Sequence, residues 1–251
     1  MLNLIVNNST SRLEGFTPSQ FSAIRNELSY TPPSNGFTFS YPQALIDKKG
    51  QFATGLMERL LLLLEMQGWP VSIQDLRIEP QKATTPFYIS LPVNPYPEQL
   101  QAVAALETHG RGVVVANTGF GKSIVVGLAI EAMQVPALVI VPNLNLKKQL
   151  TDSLRQFFPE VTVGGWGSTI CVENIDALEN KKGPHSYGLM VIDEMHHAAA
   201  KTYRKINKGI AASIYYRLGL TATFFRFQKS EDILWSRCFL KSSTRYPTRI
   251  R

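Results

Sequence analysis

Cysteine is scarce: two residues, Cys171 and Cys238, stand in 251 and in no CxxC spacing. That excludes a disulfide framework and a cysteine-rich metal site, and leaves two buried thiols as the expectation. Long apolar runs are missing as well. None exceeds five residues, and residues 60–64 are closed off by Arg59 and Glu65, far short of the roughly 20 that span a bilayer. No membrane helix and no membrane partner are expected. Residues 1–6 are apolar but lack a basic start and a small-residue cleavage site, so they read as a first strand and the chain as cytoplasmic. Internal repeats and low-complexity segments are lacking too. What is present, 44% hydrophobic and 18% charged residues, excludes wholesale disorder and suffices for one large core or two modest ones.

The net charge of +7 acquires meaning once it is located. Residues 1–90 hold seven basic and seven acidic side chains, so the excess lies in residues 91–251; residues 199–251 alone hold twelve basic and two acidic ones. This suits either a solvated basic face or a surface for a phosphate backbone.

The first 90 residues read as a small α+β domain. Thr17-Pro18-Ser19-Gln20 offers an N-cap, a proline at the first helical position and a capping-box glutamine ahead of Phe21, Ile24 and Leu28 on one face, so a helix starts there. Residues 31–42 read as turns and 43–46 as a strand. A second helix, about 56–66, is apolar nearly all round, which predicts the centre of a small core. A strand over 71–78 follows, and the proline-punctuated stretch 79–94 reads as a linker, with the domain boundary near residue 90. Beyond it strand and helix signals alternate, the pattern of a parallel sheet with helices on both faces. The strands are expected at 113–116, 137–141, 170–172, 189–192 and 216–220.

Two motifs in this α/β region carry chemistry. Ala116-Asn117-Thr118-Gly119-Phe120-Gly121-Lys122-Ser123 lies between a strand and a helix over 122–133, the context of a P-loop. Thr118, Gly119, Phe120, Gly121, Lys122 and Ser123 would form the phosphate cradle, in which the glycines let backbone N–H groups turn inward. Lys122 would reach the β- and γ-phosphates, and Ser123 would offer a hydroxyl to Mg²⁺. Further on, an apolar strand runs into Asp193-Glu194-Met195-His196-His197. Asp193 is placed to hold Mg²⁺ and Glu194 to polarise an attacking water. Taken alone, Glu194, His196 and His197 are also competent metal ligands, but their spacing is not the His-Glu-x-x-His of a zinc helix.

Together these motifs resemble the superfamily 2 helicases and translocases. Pro97 to Val103 is similar to that family's Q-type motif, in which Gln99 would read the adenine edge and Tyr96 stack on the ring. Leu138 to Asn143, with Leu146 and Gln149, is similar to motif Ia, and Ile170 to Leu178 to the next strand and loop. The resemblance puts Pro142, Asn143 and Asn174 against nucleic acid. Arg217 to Arg226 resembles motif III, where Thr221 and Thr223 would couple the γ-phosphate site to the nucleic-acid face; Phe224 stands where a proline is usual.

Within the superfamily the nearest resemblance is to the UvsW-type group, related to the XPB group. It implies a RecA-like first motor lobe over residues 91–251 that uses ATP and Mg²⁺, behind a small domain with possible DNA contacts at Lys48 and Lys49. DNA, single-stranded, branched or hybrid with RNA, is the implied partner, and RNA is an alternative. The second lobe of such motors, which supplies arginine fingers, is not in this chain, so weak hydrolysis is expected of it alone; Arg245, Arg249 and Arg251 read as tail charges. Rival readings are a nucleic-acid-binding module without motor activity, the ATPase lobe of an RNA helicase, and a restriction translocase, which would need a nuclease domain.

Overall fold

The computed structural model describes residues 1–31, 41–116, 119–178, 181, 186–195 and 201–222, with the side chains of 201–204 left aside. Expectations for Thr118, His196, His197, Thr223, Phe224, Cys238 and the three terminal arginines lie outside the described residues. Among the described helices none is long and apolar enough to cross a membrane. The chain divides into two compact units, the first covering Met1–Ile78 and the second the described residues from Glu79 onward.

In the first unit β1 (Leu2–Val6) and β2 (Thr10–Glu14) pair antiparallel. Helix α1 (Pro18–Glu27) begins as its sequence dictates: the Thr17 side chain accepts from the Gln20 N–H at 3.3 Å, and the Gln20 side chain accepts from the Thr17 N–H at 2.9 Å. A two-stranded pair, β3 (Ser29–Tyr30) with β4 (Gln43–Ala44), precedes β5 (Gln51–Ala53), helix α2 (Met57–Met66) and β6 (Val71–Asp75). The sheet order is β5-β2-β1-β6, with β6 parallel to β1.

Two expectations are corrected in this unit. Helix α2 contributes Leu60 and Leu64 to the core with Met57, Leu61 and Leu63 packed against it, but it is not covered all round, since Leu62 and Met66 are exposed. A helix in a small unit, packed here against α1, keeps an open face however apolar it is. The last strand stops at Asp75 rather than running to residue 78, because the Asp75 carboxylate accepts the Arg77 N–H and guanidinium at about 3 Å and turns the chain there.

The stretch 79–94 has no helix or strand, yet it is no free linker. Ala83 N–H donates to the Gln134 carbonyl, Phe87 N–H to the Gln134 side chain, Ile89 N–H to Glu131 Oε1 and Ser90 N–H to the Phe157 carbonyl, and Phe87 is buried. It is a strap on the second unit, whose beginning at Glu79 lies upstream of the boundary read near residue 90.

Helix α3 (Pro97–His109), β7 (Arg111–Val115), α4 (Lys122–Met133), β8 (Ala137–Val141), α5 (Leu144–Phe157), β9 (Val163–Gly164), β10 (Ile170–Asn174), α6 (Ile175–Leu178), β11 (Leu189–Ile192), α7 (Lys201–Lys208) and β12 (Tyr216–Thr221) then follow. The six strands form one parallel sheet in the order β7-β12-β11-β8-β10-β9. Right-handed crossovers explain the layers. From β7 to β8 and from β8 to β10 the chain advances across the sheet, which puts α4 and α5 on one face; from β10 to β11 and on to β12 it returns, which puts α6 and α7 on the other. Every residue of β8 is buried, as a central strand covered on both faces must be. Cys171 in β10 is a buried thiol whose pKa burial pushes up to about 11.

Candidate nucleotide site

The strand order decides what meets at the carboxyl edge of the sheet. Strand β12 lies between β7, which leads into the glycine-rich loop, and β11, which leads into Asp193. Three chain segments distant in sequence therefore end side by side. The Thr221 carbonyl at the tip of β12 accepts the Ala116 N–H at 2.8 Å, which ties motif III to the first residue of the loop.

Gly121 caps α4 with φ +78, a left-handed conformation that glycine adopts without steric cost. Directly under it lies Gln99: a Cβ at Gly121 would stand 2.8 Å from Gln99 Nε2. Gln99 is fully buried, its Nε2 donates to the Phe120 carbonyl at 2.6 Å, and its Oε1 accepts the Tyr96 N–H at 2.9 Å. Each end of the amide thus makes one hydrogen bond inside the protein, and a primary amide has a second N–H and a second lone pair beyond these. Here the residue caps α3 and supports the loop from below, while Tyr96 is largely exposed.

The first turn of α4 carries Lys122 and Ser123. Lys122 Nζ lies 2.6 Å from Glu194 Oε1 and 3.8 Å from Asp193 Oδ1. Asp193 continues β11 by donating its N–H to the Ile140 carbonyl, and its Oδ1 accepts the Glu194 N–H at 2.9 Å. Glu194 itself has φ +49, which costs a residue with a Cβ about 1–2 kcal/mol. Burial raises the pKa of Asp193 above the ordinary carboxylate range, against the pull of the Lys122 ammonium. An anion held in that position is poised to receive a cation.

Gly119, Lys122, Ser123, Asp193 and Glu194 line one cleft of about 380 Å³. Its further wall is α5, through Gln149 and Ser153 among others. Ser153 belongs to no motif, and Gln149 stands only in the stretch similar to motif Ia. The signal that locates them is their spacing of four on one helix face. Among the described residues no group of three metal-ligating side chains gathers, but an ion shared with phosphates needs only one or two hard protein oxygens. Ser123 and the partly buried Asp193 carboxylate supply that chemistry in the same cleft, so the residues fit Mg²⁺.

The residues implied for nucleic acid also share an edge. Asn174 ends β10 opposite Val141, after which Pro142 and Asn143 follow. Asn143 Oδ1 accepts the Leu146 N–H at 2.9 Å and so caps α5, a structural duty that its side chain already performs. Beside them Glu173, nearly fully buried, accepts from Lys147 Nζ at 2.6 Å and from the Trp166 N–H at 3.2 Å. This bridge between α5 and the loop after β9 escaped sequence reading, because its three members come from three segments.

Residues 92–226, more than half of the chain, match the family described as type III restriction enzyme, res subunit. The chain is 30% identical over 132 residues to the DNA 3'-5' translocase XPB2 of Sulfurisphaera tokodaii, which covers 50% of this chain and 30% of that protein. It is 38% identical over 85 residues to the UvrABC system protein B of Thermosynechococcus vestitus, 32% of this chain and 13% of that protein. The chain thus spans less than a third of these curated relatives. The crystal structure of the UvsW helicase from bacteriophage T4 superposes with a TM-score of 0.78 at 18% identity, covering 96% of this chain and 98% of that one, which speaks for the fold. With the glycine-rich loop, the acidic turn and β12 all inside the matched segment, the chain belongs to this restriction-subunit family of superfamily 2 helicases and carries its N-terminal, ATP-binding lobe.

Proposed function

We propose that the chain is the ATP-binding part of a DNA helicase or translocase that acts on branched DNA or RNA–DNA hybrids in replication, recombination or repair. The observation that carries this reading is the Lys122–Glu194 contact at 2.6 Å across the cleft, with Asp193 and Ser123 beside it. In the free protein Lys122 neutralises Glu194. An ATP γ-phosphate entering the cleft competes for the ammonium, so Glu194 is released as nucleotide binds and becomes available to accept a proton from an attacking water. Ser123 and Asp193 would hold Mg²⁺, which supplies positive charge to the phosphates. The loop N–H groups at the start of α4 orient the β-phosphate. A second motor lobe, carried on a further segment or a partner, completes the site with an arginine. Pro142, Asn143 and Asn174 line the nucleic-acid track, helped by the basic residues toward the end of the sequence. On the small domain, Lys48 and Lys49 are the candidate phosphate contacts.

The test is ATP turnover by residues 1–251 with and without forked DNA, using Lys122→Ala as the blank. Matched DNA and RNA competitors run beside it. DNA-stimulated turnover that vanishes with Lys122→Ala supports the reading. Salt-dependent DNA binding that ignores both ATP and Lys122→Ala replaces it with a binding module. Preference for RNA, whose 2′-hydroxyls distinguish it, replaces it with an RNA helicase lobe.

A further inference from the structure

The turn that carries Glu194 is anchored by a neighbour that the mechanism above does not use. Met195 is fully buried. Its side chain lies against Gly219 of β12, where a Cβ would stand 2.1 Å from the Met195 sulfur and 3.2 Å from its Cγ. Gly219 pairs with Ile192, the last residue of β11, on one side and with Val113 of β7 on the other. The thioether is thus seated on the middle one of the three strands whose ends build the nucleotide site. Immediately before it Glu194 holds φ +49, and such a conformation persists only where its surroundings impose it.

We propose that Met195, seated in the gap left by the missing side chain of Gly219, is the positioning residue that holds Glu194 in its left-handed conformation and thereby keeps its carboxylate on Lys122. The proposal rests on the reading of Glu194 as the group that polarises water. Two restraints act on the turn from opposite ends. The Asp193 carboxylate accepts the Glu194 N–H from the β11 side, and the Met195 side chain pins the far side to β12. With Met195 in place, the backbone between the two has to reverse within a single residue, and that residue is Glu194. Any side chain at position 219 fills the seat. The unbranched thioether suits an irregular gap of this kind, which a β-branched residue does not.

The experiment measures amide hydrogen exchange over residues 192–195 together with steady-state ATP turnover, on the full chain. The variants are Met195→Leu, Met195→Ala, Gly219→Ala and the double variant Met195→Ala/Gly219→Ala. Met195→Ala and Gly219→Ala should each speed exchange at the Glu194 and Met195 amides by about tenfold or more, leaving α4 protected. Each should lower kcat by about tenfold with KM for ATP changed by less than about twofold, because the phosphate cradle is untouched. The double variant should be no worse than the worse single one, since both break one contact. Met195→Leu, which keeps an apolar plug, should stay near wild type. Unchanged exchange at 194–195 in the single variants, or effects that add in the double, overturns the proposal. Exchange that responds as expected while Met195→Ala keeps the wild-type kcat sinks the hydrolytic role of Glu194 and leaves the anchor standing. Should Gly219→Ala fail to fold, the two Met195 variants decide.

Discussion

Helices α2 and α4 look alike as sequences and live differently as structures. Both are rich in aliphatic residues, leucine in α2 and mainly valine and isoleucine in α4, yet α2 buries Leu60 and Leu64 while α4 buries Val125 through Ile130 and Met133. The difference is in the layers around them. Helix α2 packs against α1 and shares one modest core with the four-stranded sheet, in a unit too small to cover its outer side, whereas α4 is packed against the six-stranded sheet, α3 and α5. Apolarity states what a helix can bury, and the number of neighbours decides what it does bury. The chemistry belongs to the well-covered unit, where the side chains of a site are held to the tenths of an ångström that catalysis requires.

The sharpest separation of the two units is catalytic. Glu194→Gln should cut ATP turnover at least about 100-fold while leaving ATP binding intact, and Lys48→Ala/Lys49→Ala should leave turnover without DNA unchanged; calorimetric titration and a phosphate-release assay read both. Equal hydrolysis in Glu194→Gln removes that residue from the mechanism. Stability should divide along the same line. Ile130→Ala in α4 should cost about 2–5 kcal/mol in urea unfolding, against less than about 0.5 kcal/mol for Leu62→Ala in α2. Comparable losses would mean that α2 is covered after all.

Smaller effects probe the second unit from within. The pKa of Asp193 is raised by burial, so its ionised form is less favourable in the folded state than in the unfolded one. The stability that comes with protonation is complete at low pH and is lost as pH rises through the elevated value. Asp193→Asn should accordingly raise Tm at pH 7 and leave it unchanged below the ordinary carboxylate range, while abolishing Mg²⁺-dependent turnover. A stabilisation equal at both pH values would assign the effect to packing. The smallest expected change concerns Gln99. Removing its amide leaves the Phe120 carbonyl and Tyr96 N–H without those partners, so Gln99→Ala should weaken ATP and GTP binding by the same few-fold factor. Loss of discrimination between the two nucleotides would instead support the adenine-reading role.

Much of the second unit is legible along the chain. The helix over 122–133 and the strands over 137–141 and 189–192 fall where hydrophobic runs bounded by turn residues put them. The capping box at Thr17 and Gln20 is likewise local chemistry, decided within four residues. The strap over 79–94 reads as a linker because proline and polar residues abound. What ties it down are the side chains of Glu131 and Gln134, some 40 to 50 positions away and reached only once α4 is folded beneath it. The Glu173 bridge and the seat of Met195 on Gly219 are hidden for the same reason.

The amino-acid order by itself determined which segments become strands and helices, where glycine permits a phosphate-binding loop and which carboxylates follow an apolar strand, because those choices rest on backbone sterics and short-range periodicity. Only the tertiary structure decided that β12 should lie between β7 and β11, that Lys122 should meet Glu194, that Gln99 should turn inward beneath Gly121, and that Met195 should occupy the space above Gly219. Each of these is a contact between segments far apart along the chain. Its energy comes from burying particular surfaces against one another, and no local stretch of sequence contains both of the surfaces involved.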